Sequence, residues 1–419
     1  MGRFLQADNP FGKGGFFGGS PPPPAAPALQ WVRLAGAAQG LLAGELVTDV
    51  ASINDPDSDQ TALACTNQGR IFFYDGFGWA GRAILPAPIT SANMLASDEA
   101  GTVVVLGYEI DGVTPHLAVS TDSGATWTDT TPASYFGTAI YYLPRLGVFF
   151  TLSPPSGLGN GTAYTSPDGT VWTGQDLGVK FSPFLQYGSG VSPAKFTGCV
   201  LDDGTDLYIA GTNASASPND GIILKSPDAL AWSTAFEPGA LLSAVFAVAR
   251  TATLYFADPG GQGASAGHHY VYTSPDGAAW SLAGDSTDIH VPPFQGPLVT
   301  FGAWCLNASS VVDGAIARST DGVAWSAIAP TAAVMTTLGG MIAGIDVNND
   351  PRAYCCGTGD PSAIVSSTDG ITWSADTVHA GDDQAQVNMV RVLGTSVPNV
   401  WAVGAGADGF GGIWLQELV

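Results

Sequence analysis

Seven aspartates recur at similar intervals along this chain, each followed by glycine or, once, alanine, and then by tryptophan. They are Asp75, Asp122, Asp168, Asp228, Asp276, Asp321 and Asp369, with Trp79, Trp127, Trp172, Trp232, Trp280, Trp325 and Trp373. A carboxylate can move protons, ligate a cation or accept amide hydrogen bonds inside a turn. The neighbouring residues decide among these. Six segments read STDSGATW (120–127), SPDGTVW (166–172), SPDALAW (226–232), SPDGAAW (274–280), STDGVAW (319–325) and STDGITW (367–373); a seventh, YDGFGW (74–79), lacks the serine. Glycine supplies positive φ in a tight hairpin, the hydroxyl and carboxylate bond local backbone, and the indole covers the turn. These aspartates therefore read as structural, with neither a catalytic nor a metal role. Ala229 stands where the other turns have glycine, which predicts a looser or distorted turn there.

Other residues could carry chemistry. The paired His268 and His269 suggest a metal, but no third ligand stands near them in the sequence, so no metal or cofactor is assigned. DLGVKFSPFLQYGSGVSP places Lys180, Phe181, Phe184 and Tyr187 together. Aromatic rings facing solvent suit sugars or protein partners; the same rings could instead pack their loop onto the sheet. Cys65, Cys199, Cys305, Cys355 and Cys356 show no metal-ligand spacing and read as buried free thiols. Adjacent Cys355 and Cys356 would then point to opposite faces of a strand.

Elements must position these residues, and the tryptophans give their period. Intervals between the seven are 48, 45, 60, 48, 45 and 48 residues, and 48 residues before Trp79 lies Trp31, in ALQWVRLAG. Each period reads as four strands, A to D, with the aspartate turn between C and D. After Trp373 only three strand-like runs follow, AQVNMVRVL, NVWAVGAG and GIWLQEL. QWVRLAG would supply their missing fourth strand and close a ring, which removes open sheet edges. The expected fold is all-β: a single closed β-propeller over residues 29–419, with eight four-stranded blades, or seven if the split repeat packs differently. The C–D and A–B turns would share one face, leaving B–C and D–A connections on the other. The 60-residue interval marks an insertion between strand D of blade 3 and strand A of blade 4.

Composition agrees. With 45% hydrophobic and 12% charged residues, 55 Gly and 29 Pro, the chain can fill a large core and make many turns. Its net charge of −23 repels nucleic acid and anionic membranes, so neither is an expected partner. No apolar run is long enough to span a bilayer, and the N-terminus lacks the apolar core of a signal peptide. Residues 1–28 form a Gly/Pro-rich segment with Phe4, Phe11, Phe16 and Phe17 and a four-proline spacer at 21–24. It reads either as a tail or as an arm that docks phenylalanines into a partner.

The repeated segments resemble the Asp-box, or BNR, repeat of sialidase-like propellers, S-x-D-x-G-x-T-W, and STDSGATW matches it in full. That resemblance implies the propeller fold and a ligand face opposite the boxes. Sialidase catalysis would need three arginines clamping a carboxylate, but Arg33, Arg70, Arg82, Arg145, Arg250, Arg318, Arg352 and Arg391 mostly adjoin strands or A–B turns. A non-enzymatic protein is expected, although a glycosidase using two aspartates stays open. The uninterrupted propeller with a short arm resembles virion proteins of tailed bacteriophages. This implies a tail, fibre or decoration component, made in the host cytoplasm without a signal peptide. Its arm would anchor to other virion proteins, and one face would meet a host glycan or protein. An assembly propeller that binds another protein is the further alternative.

Overall fold

Short runs rich in β-branched and aromatic residues, such as Val148–Ser153 and Asp220–Ser226, bury side chains on both faces and pair as antiparallel strands. The computed structural model describes residues 29–418 except 55–60, 83–88, 90, 111–113, 133–139, 154–158, 184–198, 215–219, 238–244, 246, 259–269, 286–297, 309–315, 329–334, 349, 360–362 and 394–398. Its strands form eight blades.

Taken as strands A to D, blade 1 comprises Val47–Ser52, Ala62–Thr66, Ile71–Tyr74 and Trp79–Arg82. Blade 2 comprises Ser91–Ser97, Val104–Glu109, Pro115–Ser120 and Thr128–Asp129, and blade 3 Ile140–Leu143, Val148–Ser153, Thr162–Ser166 and Thr173–Asp176. In blade 4, strands B to D are Leu207–Asn213, Asp220–Ser226 and Ser233–Phe236. Blade 5 runs Ala247–Arg250, Tyr255–Asp258, Tyr270–Ser274 and Ser281–Asp285; blade 6 runs Leu298–Phe301, Trp304–Ala308, Ile316–Ser319 and Ser326–Ile328. Blade 7 runs Met335–Ile345, Pro351–Gly359, Ile364–Ser367 and Ser374–Ala375. Blade 8 takes Gln384–Leu393, Asn399–Gly406 and Gly411–Leu418 from the C-terminal side and Leu29–Ala35 from the N-terminal side. The A strands contact one another around the ring and line its channel. Among the described residues the only helical piece is a 3-10 turn at Ala37–Gln39, and no helix is long and apolar enough to cross a membrane.

Closure follows the expected route. Leu29 pairs with Leu418 and Trp31 with Gln416, antiparallel, completing the eighth blade. The core is divided among the blade boundaries, and each phased tryptophan seals its blade against the preceding one. Trp127 packs with Leu63 and Phe73 of blade 1, Trp373 with Leu306 of blade 6, and Trp79 with Trp401 and Ile413 of blade 8. Trp31 does the same between blades 7 and 8, edge-on to Tyr354 at 6.3 Å. Its indole N–H donates to Asp376 Oδ2 at 2.9 Å.

The five cysteines are free and buried. Cys355 faces the boundary of blades 6 and 7, and Cys356 that of blades 7 and 8, as their adjacency in a strand requires. Burial pushes the Cys356 thiol up to about 12.

Blade 4 departs from the expected arrangement. Its insertion does not precede strand A; it interrupts it. Phe181–Pro183 pairs with Gly211–Asn213, while Val200–Asp202 pairs with Leu207–Ile209 of the same strand B. At the inner end of the first half, Gly211 O accepts a hydrogen bond at 3.0 Å from Val245 N, just ahead of strand A of blade 5. The next blade thus supplies a backbone donor to the interrupted sheet.

Replacing Trp31 should weaken the ring at its only split blade. Trp31→Ala is expected to cost about 3–5 kcal/mol through lost burial and the cavity left behind. Chemical denaturation would measure this, and a loss below about 1 kcal/mol would show that Trp31 does not seal the closure.

Candidate functional site

Antiparallel order fixes two faces: A–B and C–D connections lie on one, B–C and D–A connections on the other. The C–D turns are hydrogen-bonded as their residue types suggest. In STDGVAW, Ser319 Oγ donates to Asp321 Oδ1 at 3.1 Å and accepts from Gly322 N at 2.8 Å. Asp321 Oδ1 accepts from Val323 N at 2.8 Å and Ala324 N at 3.0 Å, and Trp325 Nε1 donates to Gly322 O at 2.9 Å. Asp276 and Asp228 repeat this pattern, and Asp75 keeps its two amide bonds without the serine. These amides hold the carboxyls below the usual range; for Asp369, the amides of Thr372 and Ile371 bring it to about 2.

The blade 4 turn is not distorted. Ala229 adopts φ +61°, and Asp228 and Trp232 make the same bonds as their counterparts. Its methyl group is wholly buried between blades 3 and 4. At Gly277, by contrast, a Cβ would lie 2.3 Å from Tyr208 Oη.

On the opposite face, the structure brings together residues that the sequence does not single out. Tyr108, near the end of strand B in blade 2, is the cross-strand partner of His116 on strand C, and their rings stack at 5.3 Å. Tyr108 Oη donates to Asp129 Oδ2 at 2.7 Å, and His116 Nδ1 lies 3.2 Å from the same oxygen. Thr131 N donates to Asp129 Oδ1 at 2.9 Å. Burial pushes Asp129 up, but the Thr131 amide and the Tyr108 hydroxyl outweigh it and hold the carboxyl below its ordinary range. Burial and then the Asp129 carboxylate push the Tyr108 hydroxyl upward, so it remains a donor at neutral pH. The Asp129 side chain is 44% exposed and stands at one end of a groove of about 390 Å³. That groove follows the outer strand of blade 2 from Asp129 back to the turn-bearing face, lined by Thr128 and Thr130 and by Thr121, Thr126 and Thr170 of the C–D turns of blades 2 and 3. An imidazole, a carboxylate and a row of threonines can hydrogen-bond the hydroxyl and amide groups of a polar ligand. Pairing register alone unites Tyr108 and His116; the hairpin sequence between them hides it.

Of the expected aromatic ledge, only Lys180 and Phe181 fall among the described residues. Phe181 is wholly buried with Leu177, Leu207 and Ile209, because it belongs to the interrupted strand A rather than to a loop. Lys180 is half-buried and its carbonyl accepts from Ala214 N. Phe184, Tyr187, His268, His269, Phe4, Phe11, Phe16 and Phe17 lie outside the described residues. Several arginines are engaged in ion pairs: Arg33 with Asp408, Arg70 with Glu45, Arg145 with Asp202, Arg250 with Asp203, and Arg352 with Asp346. The channel wall includes a cavity of about 250 Å³ between Val200, Val248, Leu298 and Ile342. It is mainly apolar, with Arg250 at its edge.

No family model and no curated protein matches this sequence. Among solved structures, it is similar to YCF48 bound to a D1 peptide at 13% identity and a TM-score of 0.47, over 94% of this chain and all of that one. The Niastella koreensis GH74 enzyme matches at 13% identity and 0.46, over 92% of this chain and 60% of that one. The WD40 propeller domain of Doa1 matches at 13% and 0.43, over 92% and 97%.

Two predictions concern the turns. Gly277→Ala should destabilise the protein by about 1–3 kcal/mol, from overpacking and a left-handed backbone. Ala229→Gly should stay within about 1 kcal/mol of the parent, since a lost methyl offsets relieved backbone strain. Denaturant titrations of the pair test this, and equal effects would contradict it. Asp369 also implies a pH dependence. Its folded carboxyl sits at about 2, below the roughly 3.9 of an unfolded aspartate. The stabilisation is therefore full above about pH 4 and is lost as pH falls towards about 2. Melting temperature should drop across that window, less steeply in Asp369→Asn; identical slopes would count against the turn as a source.

Proposed function

We propose that this chain is a non-enzymatic adhesion or structural protein of a tailed-bacteriophage particle. Its seven C–D turns are Asp-box turns with an architectural role. It is held on its turn-bearing face, with residues 1–28 as the anchor to other particle proteins, and it offers the opposite face to a glycan or protein of the host surface.

The observation that carries this reading is positional. Leu29 and Leu418 are paired at the C–D end of blade 8, so residues 1–28 join the propeller on the turn-bearing side. A tether there leaves the B–C and D–A ends of the blades facing away from it. Tyr108, His116 and Asp129 stand towards that side and can hydrogen-bond sugar hydroxyls, while the threonine-lined groove runs from Asp129 back to the C–D turns. The turn aspartates are occupied by their own amides and several arginines by carboxylates, which favours binding over acid–base chemistry.

A glycan array probed with the full chain tests the outward face. His116→Ala should weaken any captured glycan about tenfold or more, the equivalent of roughly 1.4 kcal/mol, while Phe77→Ser on the other face should leave binding unchanged. Electron microscopy of the particle should then show an eight-bladed ring with residues 1–28 against a neighbouring subunit. Hydrolysis of the captured glycan would replace this reading with a glycosidase, and a free monomer absent from particles would remove the virion role.

A further inference from the structure

The turn-bearing face carries an unusual set of side chains. Tips of hairpin turns are generally polar because solvent surrounds them. Here Phe77 is 91% exposed, Val171 70%, Val323 61%, Leu230 46% and Ile371 43%, and every one occupies the tip of a C–D turn. They belong to blades 1, 3, 6, 4 and 7, so they form a broken ring around the rim. The tips are held in place. The backbone amides of Phe77, Leu230, Val323 and Ile371 themselves donate to the turn aspartates at 2.7–2.9 Å, which fixes the side chains outward.

Blade 8 has no such turn. In its place the chain enters at Leu29, between Ile371 of blade 7 and Phe77 of blade 1. The 28 residues ahead of that point hold Phe4, Phe11, Phe16 and Phe17. They also differ in charge from the rest. Arg3 and Lys13 against Asp8 make +1, so the total of −23 leaves −24 for residues 29–419. Each apolar tip adjoins an aspartate whose carboxyl is held low and therefore ionised at neutral pH. Full extension of 28 residues spans about 90 Å, so reach does not limit contact. A second propeller face laid against this one would instead oppose two acidic rims.

We infer that residues 1–28 pack across the turn-bearing face, their phenylalanines covering the ring of apolar tips and Arg3 and Lys13 facing its aspartates. This is the arrangement of the chain free in solution, from which anchoring to another particle protein would draw the segment away, and it is independent of what the opposite face binds.

Trypsin, acting on the full chain, reads this directly through its sites at Arg3 and Lys13. The comparison sets the parent beside a variant carrying Phe77→Ser, Val323→Ser and Ile371→Ser, and beside a synthetic peptide of residues 1–28. These three positions are exposed, and unchanged circular dichroism and melting would confirm the fold. Cleavage at Lys13 should be about tenfold slower in the parent than in the peptide, because protection tracks the docked population. The ring variant should approach the peptide rate. Protection that survives dilution assigns the segment to its own propeller, and protection lost on dilution assigns it to a neighbouring copy; both support the inference. Equal rates for parent and peptide overturn it, as does protection that the ring variant retains in full.

Discussion

The C–D turns of blades 2, 3, 5, 6 and 7 lie against the blade before them, and this contact sets how the blades stack. A methyl group on the turn glycine would meet Leu63 Cδ1 at 2.4 Å from Gly124, Val105 and Val119 at 2.7 Å from Gly169, and Thr273 Cγ2 at 2.6 Å from Gly322. The same residues adopt φ values near +70 to +90°, so glycine satisfies two demands at once, one conformational and one steric. Aspartate fixes the turn's backbone, and tryptophan fills the boundary beside it. Ala229 marks the limit of the rule: the backbone demand is met at some strain, and the boundary of blades 3 and 4 accommodates its methyl group.

Blade 8 shows what happens where the turn is missing. Trp31 occupies the same boundary position as the other phased tryptophans, yet it has no turn carbonyl of its own to receive its indole N–H. The acceptor comes from the preceding blade, where Asp376 stands three residues after Trp373. Ser366 also donates to Asp376, and burial pushes that carboxyl upward. Arg352 reaches the same Ser366 and pairs with Asp346, so the closure rests on a polar network as well as on strand pairing.

Periodicity made the blade count and the split repeat legible, because every blade boundary uses a tryptophan at one place. The alternation of a strand likewise predicted that Cys355 and Cys356 face different boundaries. Two features escaped for specific reasons. Strand A of blade 4 is interrupted internally, and KFSPF reads as the start of an insertion unless its pairing with Gly211–Asn213 is known. Tyr108 and His116 meet through register across a hairpin, and Asp129 joins them from the neighbouring strand. Such a cluster has no linear spacing to betray it.

The pairing of Leu29–Ala35 with Gly411–Leu418 also constrains the order of events during synthesis. Among the strands of the ring, the one made first finds its partner only when the one made last has been completed. Until then its backbone groups are an unpaired edge and Trp31 has no boundary to fill, a state prone to mispairing with other chains. Seven blades can form as the chain grows, but closure waits until Gly411–Leu418 has been made. The slow step is a contact between the most distant parts of the described chain.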